Sequence, residues 1–251
     1  MSSNPHTLGQ DFRQQVAPLG NVALCFATLR RAITRPAHLP GIVCYYGPSG
    51  YGKSTAATLV TISYDAVYVQ ARSSWTRKAA HQAILKGLGV IPAKTVAEMS
   101  DQIAEELVLS KRPLIVDEAD YLVERGSIEI IRDIYEASQA PVMIIGEEGL
   151  PNKLKRWERF HGRVLDWAPA QPATLEDCKA LAKLHSGKVQ IEDDLLDRVH
   201  EMSGGSVRRI CVNLALIEEQ SLVAGQDVMN LKMWGSRELY TGEAPSRRRN
   251  A

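Results

Sequence analysis

The chain has 251 residues, 45% hydrophobic and 24% charged, which is ample for one large globular domain, or a core with a small satellite, that folds unaided. Its formal net charge of +1 excludes any general attraction for nucleic acid or anionic membrane, so a basic surface can arise only from uneven distribution. Cys25, Cys44, Cys178 and Cys211 are scattered, without C-x-x-C spacing, and suit reduced core thiols better than a disulfide framework or a zinc site. The segment from Met1 to Gln10 is polar, and no apolar stretch approaches the length of a membrane span, so the expectation is a soluble, cytoplasmic protein with no membrane partner.

In chain order, residues 1–19 read as an N-terminal extension. Asn21 can then cap a helix running through Leu24, Ala27, Leu29 and Ile33 and ending near Pro36. The apolar run Ile42 to Tyr46 predicts a buried strand. Directly after it, Gly47-Pro48-Ser49-Gly50-Tyr51-Gly52-Lys53-Ser54 reads G-x-x-x-x-G-K-S, and a helix-compatible stretch from Thr55 to Ile62 follows. Glycines allow a tight turn whose amides point into one concavity, and the following helix adds the positive end of its dipole, so an anionic phosphate fits there. Lys53 can reach the β- and γ-phosphates of a nucleoside triphosphate, and the Ser54 hydroxyl can coordinate Mg²⁺.

Ala66 to Val69 predicts a second strand, followed by a locally basic segment. Between Gln70 and Lys94 there are Arg72, Arg77, Lys78, Lys86 and Lys94, with no Asp or Glu. Ser73, Ser74 and Thr76 add hydroxyl donors and Trp75 a stacking or wedge surface, a set suited to holding a phosphate backbone without reading its sequence. An ordinary basic loop, with Trp75 as a packing residue, is the alternative.

Pro113 to Glu118 is a third apolar strand, Leu114 to Val116, ending in two adjacent carboxylates, where open α/β sheets place ligand chemistry. Asp117 is the expected Mg²⁺ ligand, and Glu118 can polarise a water for attack on the γ-phosphorus. Val142 to Ile145 reads as a fourth strand. Beyond Pro169 the pattern changes to helices: Leu175 to His185, Asp193 to Met202, Val207 to Ala224, and a further stretch from Val228 to Tyr240. The expected division is an α/β core over 20–168, a small helical domain over 169–240 and a disordered basic tail over 241–251 containing Arg247, Arg248 and Arg249.

Gly47 to Ser54, Asp117-Glu118-Ala119-Asp120 and the helical C-terminal domain together resemble an AAA+ ATPase over roughly residues 20 to 225. The resemblance implies a parallel-sheet P-loop NTPase core with a small all-helical C-terminal lid, ATP and Mg²⁺ as cofactors, and assembly into a homo-oligomer. It further implies a γ-phosphate sensor after the fourth strand, where Glu147 stands in place of the usual Asn, Ser or Thr. A finger arginine acting across a subunit boundary is implied at Arg159, with Arg156 and Arg163 as alternatives. In the lid, Arg208 is the implied arginine that reaches back in cis, with Arg209 close by position, and the segment around Asn21 is placed to touch the base. Loops after the second and third strands, with Arg72 to Lys78 and Arg125-Gly126, correspond to those lining DNA channels in this class.

Within that class the length, the phrase Tyr45 to Ser54 and the compact lid are most similar to the target-selecting ATPases of phage Mu-type transposition, but without room for a separate N-terminal helix-turn-helix domain. That resemblance implies ATP-dependent filaments or rings on double-stranded DNA and delivery of that DNA to a transposase. A helicase loader, a secretion-type ATPase and a nucleotide-gated protein switch without DNA binding remain open alternatives.

Overall fold

The computed structural model of the chain describes Ala17 and residues 19–243. Most of the expected N-terminal extension, and Arg247 to Arg249 of the expected tail, lie outside the described residues. The chain forms two compact units: residues 21–49 and 53–170 make up one, and the other holds the described residues from Gln171 onward with Ala17, Leu19, Gly20 and 50–52.

The first unit is built on five parallel strands: β1 (Ile42–Tyr46), β2 (Val67–Gln70), β3 (Leu114–Asp117), β4 (Val142–Gly146) and β5 (Val164–Pro169). They lie in the order β2-β3-β4-β1-β5. The central strands β1, β3 and β4 are apolar apart from Asp117 at the carboxyl end of β3, and nearly all of their residues are buried, as a parallel sheet covered on both faces requires. The edge strands are more polar: β2 ends in the exposed Gln70, and β5 contains Asp166 and has a register shift against β1 between Ile42 and Val43.

Helices α1 (Gly20–Ile33), α2 (Lys53–Tyr64), α3 (Arg77–Leu88) and α4 (Val96–Ser110) fall before β3. The short α5 (Asp120–Glu124), α6 (Glu129–Ser138), α7 (Leu150–Leu154) and α8 (Glu158–His161) come after it. Helix α4 has a reciprocal cap, Thr95 with Glu98, which satisfies two end donors and fixes where the helix begins. Asn21 is not a cap: α1 begins at Gly20, and Asn21 is a buried residue within its first turn.

The C-terminal unit contains α9 (Leu175–His185), α10 (Asp193–Ser203) and α11 (Val207–Val223). It is helical apart from one small addition, in which β6 (Gln190–Ile191) pairs with β7 (Val228–Met229). The expected helix from Val228 to Tyr240 does not form. Val228 and Met229 are taken by that pairing, Asn230 caps the four-residue α12 (Leu231–Trp234), and Gly235 ends it. Among the described residues no helix is long and apolar enough to cross a membrane.

Candidate nucleotide-binding site

The loop between β1 and α2 follows from its glycines. Gly50 and Gly52 have φ of +86° and +79°, conformations that side chains with a Cβ rarely adopt. Helix α2 then begins at Lys53, so the first amides of Lys53, Ser54 and Thr55 have no intrahelical acceptor and carry the positive end of the dipole. Ser54 and Thr55 are exposed in that first turn. The Lys53 ammonium donates to the carbonyls of Gly47 at 2.6 Å and Pro48 at 2.9 Å, so it is held at the loop itself.

The end of β3 supplies the opposite charge. Asp117 is 2% exposed, and each of its oxygens accepts a hydrogen bond at 2.8 Å, Oδ1 from the Glu118 amide and Oδ2 from the Tyr68 hydroxyl. Glu118 adopts φ +55°, a left-handed conformation that costs a residue with a Cβ about 1–2 kcal/mol. Burial pushes the Glu118 carboxyl above its ordinary value and the charge of Asp117 adds to this, while Lys53 opposes it. Burial likewise lowers the Lys53 ammonium, offset by attraction to Asp117, Glu118, Glu147 and Asp120. The loop lysine and the strand-end carboxylates therefore share one electrostatic environment, although 64 residues of sequence separate Lys53 from Asp117.

A network that no local sequence pattern signals ties this strand end to the next. Asp120 is 4% exposed and accepts from the Glu147 amide at 2.7 Å and from the Lys153 ammonium at 2.9 Å. Lys153 also donates to Glu124 at 2.8 Å, and its two carboxylate partners raise its pKa. A Cβ on Gly146 would lie 2.3 Å from Asp120 Oδ2 and 2.6 Å from Leu150 Cδ2, so only glycine leaves room for the carboxylate here. The network fixes the backbone of Glu147, whose residue is exposed.

These residues fit Mg-ATP in kind. The loop offers amides and an ammonium to phosphate, while Asp117 and Ser54 offer oxygen donors to a hard cation. Among the described residues no group of three or more His, Cys, Asp or Glu is placed to hold a metal ion.

The three candidate finger arginines differ. Arg163 is ion-paired with Glu136. Arg156 donates to the Val123 carbonyl at 2.9 Å and lies 5.7 Å from the Trp157 ring centroid. Arg159 is exposed on α8 beside a surface cavity of about 440 Å³ also lined by Arg132 and Arg163. Arg208 is the second residue of α11 in the C-terminal unit.

In the basic segment, Arg72, Ser73, Ser74, Thr76, Arg77 and Lys78 are all exposed. Thr76 caps α3, its hydroxyl accepting from the Ala79 amide at 3.2 Å, and Lys78 donates to the Lys94 carbonyl at 3.1 Å. Trp75 departs from the expected stacking surface: it is half-buried and packs against the hydrophobic core. Arg125 is exposed at the end of α5 and lines a cavity of about 470 Å³ with Gly126, Arg156 and Trp157.

The sheet order, its flanking helices, the phosphate loop and the helical C-terminal segment define an AAA+ P-loop NTPase fold. Residues 37–154 match the family model described as an AAA domain. Replication factor C subunit 1 of Arabidopsis thaliana is 28% identical over 172 residues, a match covering 64% of this chain and 18% of that protein. The chain thus spans a small part of that relative's length. The Aeropyrum pernix ORC2 protein, solved as ADPNP and ADP complexes, superposes with a TM-score of 0.67 at 14% identity, over 87% of this chain and 67% of that one. The Aeropyrum pernix ORC1 protein, solved in complex with DNA, gives a TM-score of 0.60 at 19% identity, over 85% and 62%. At these identities the structural likeness establishes the fold.

Proposed function

We propose that the chain is a Mg-ATP-dependent ATPase that assembles on duplex DNA, with nucleotide between protomers, and releases the DNA after hydrolysis. One observation supports this most: Lys53 at the loop and the Asp117-Glu118 pair at the end of β3, two strands away in the sheet, lie close enough to act on each other electrostatically, as a shared triphosphate and Mg²⁺ site needs. In this reading the amides from Gly47 to Thr55 hold the phosphates and Lys53 reaches the β- and γ-oxygens. Ser54 and Asp117 hold Mg²⁺, which when bound neutralises charge on the phosphate oxygens. Glu118 takes the proton of the attacking water, and Glu147 lies at the end of β4, the sensor position. Arg159, exposed and without an ion pair among the described residues, reaches a neighbour's nucleotide, while Arg208 acts in cis and Asn21 lies near the base.

The exposed cations from Arg72 to Lys78, with Arg125, are proposed to hold the DNA backbone without sequence preference. Delivery of that DNA to a transposase is supported by the sequence resemblance alone. A second reading, a replication-type loading factor, is favoured by the names of the relatives, a replication factor and an ORC protein solved with DNA.

Electron microscopy of the protein with duplex DNA, with and without a non-hydrolysable ATP analogue, tests the shared reading. Ordered rings or filaments are expected only when both are present. Assembly independent of nucleotide, or none with both, would contradict it.

A further inference from the structure

Nothing in the phosphate-loop pattern or the strand-end carboxylates gives a role to Tyr68, yet the sheet delivers it to the site. Strands β2 and β3 pair in parallel with Tyr68 opposite Ile115 and Gln70 opposite Asp117. Side chains two residues apart share a face, so Tyr68 and Asp117 are diagonal neighbours on one side of the sheet, within reach for a long side chain. The hydroxyl donates to Asp117 Oδ2 at 2.8 Å. Since the Glu118 amide holds Oδ1, the carboxylate is pinned at both oxygens, and each keeps lone-pair capacity for another donor or a cation's water.

The geometry points to Tyr68 as a positioning residue that fixes the Asp117 carboxylate for Mg²⁺, an assignment that rests on the ATPase reading above. The logic is that of groups behind metal ligands: orienting the ligand costs nothing at the moment of binding, and losing such a partner commonly weakens metal affinity about 10–100-fold. Tyr68 touches neither phosphate nor water in this role, and it acts only through Asp117.

Calorimetric titration of ATP into wild type and Tyr68→Phe, in EDTA and across a Mg²⁺ series, tests the assignment. Phenylalanine keeps the ring and removes the donor. Metal-free ATP uptake is expected to stay within about twofold of wild type, while the Mg²⁺ concentration that half-saturates the metal-dependent gain in affinity rises roughly tenfold or more. In an Asp117→Asn background the Phe substitution should add no further shift. An unchanged Mg²⁺ profile, a shift that persists in the Asn background, or an equal loss of metal-free uptake, which denotes packing alone, would overturn the assignment. Failure of the wild type to take up ATP under any condition is a different result, and it would defeat the nucleotide reading itself.

Discussion

Glu118 carries the most specific chemical assignment, and its environment yields a prediction in two parts. Its carboxyl is raised, chiefly by burial and then by Asp117, so a base acting in its ionised form loses activity on acidification at a higher pH than an ordinary glutamate. The sign for stability is opposite. A raised folded-state pKa means that the ionised form is disfavoured by the fold, so the contribution from this carboxyl is present at low pH and lost as pH rises through the folded value. Glu118→Gln should therefore lower ATP turnover about 10²-fold or more. It should also melt at or above the wild-type temperature at neutral pH, the difference vanishing in acid. Turnover at wild-type rate would remove Glu118 from the catalytic role. The loop and the Asp-Glu pair were legible because each is a contiguous pattern. Tyr68 was not, because its relation to Asp117 exists only once β2 and β3 pair in register, across 49 positions.

At the level of elements, the Asp120 network is the link between the ends of β3 and β4. Gly146→Ala places a methyl group against the Asp120 carboxylate and Leu150, so it should destabilise the protein by about 1–3 kcal/mol, measured by urea unfolding. A change below about 0.5 kcal/mol would show that the contact relaxes freely. The four predicted core strands were legible because unbroken apolar runs bounded by turn residues leave a parallel sheet as their burial solution. The Asp120 network was hidden because Lys153 lies 33 residues from Asp120 in sequence. The segment from Val228 to Tyr240 misled for a similar reason. Its composition tolerates a helix, but Val228 and Met229 pair with Gln190 and Ile191, a partner that local periodicity cannot reveal.

For the molecule as a whole, a nearly neutral chain displays exposed cations in one segment after β2 and an exposed arginine on α8, while its triphosphate-binding pattern lies between β1 and α2. In the proposed assembly each of these surfaces depends on nucleotide at the loop. Calorimetric titration of Mg-ATP into the wild type and Lys53→Ala tests that dependence most directly. The account predicts saturable uptake by the wild type and affinity at least about tenfold weaker without the ammonium, the scale of losing hydrogen bonds from a charged group. No uptake by the wild type, or equal uptake by the variant, would contradict it.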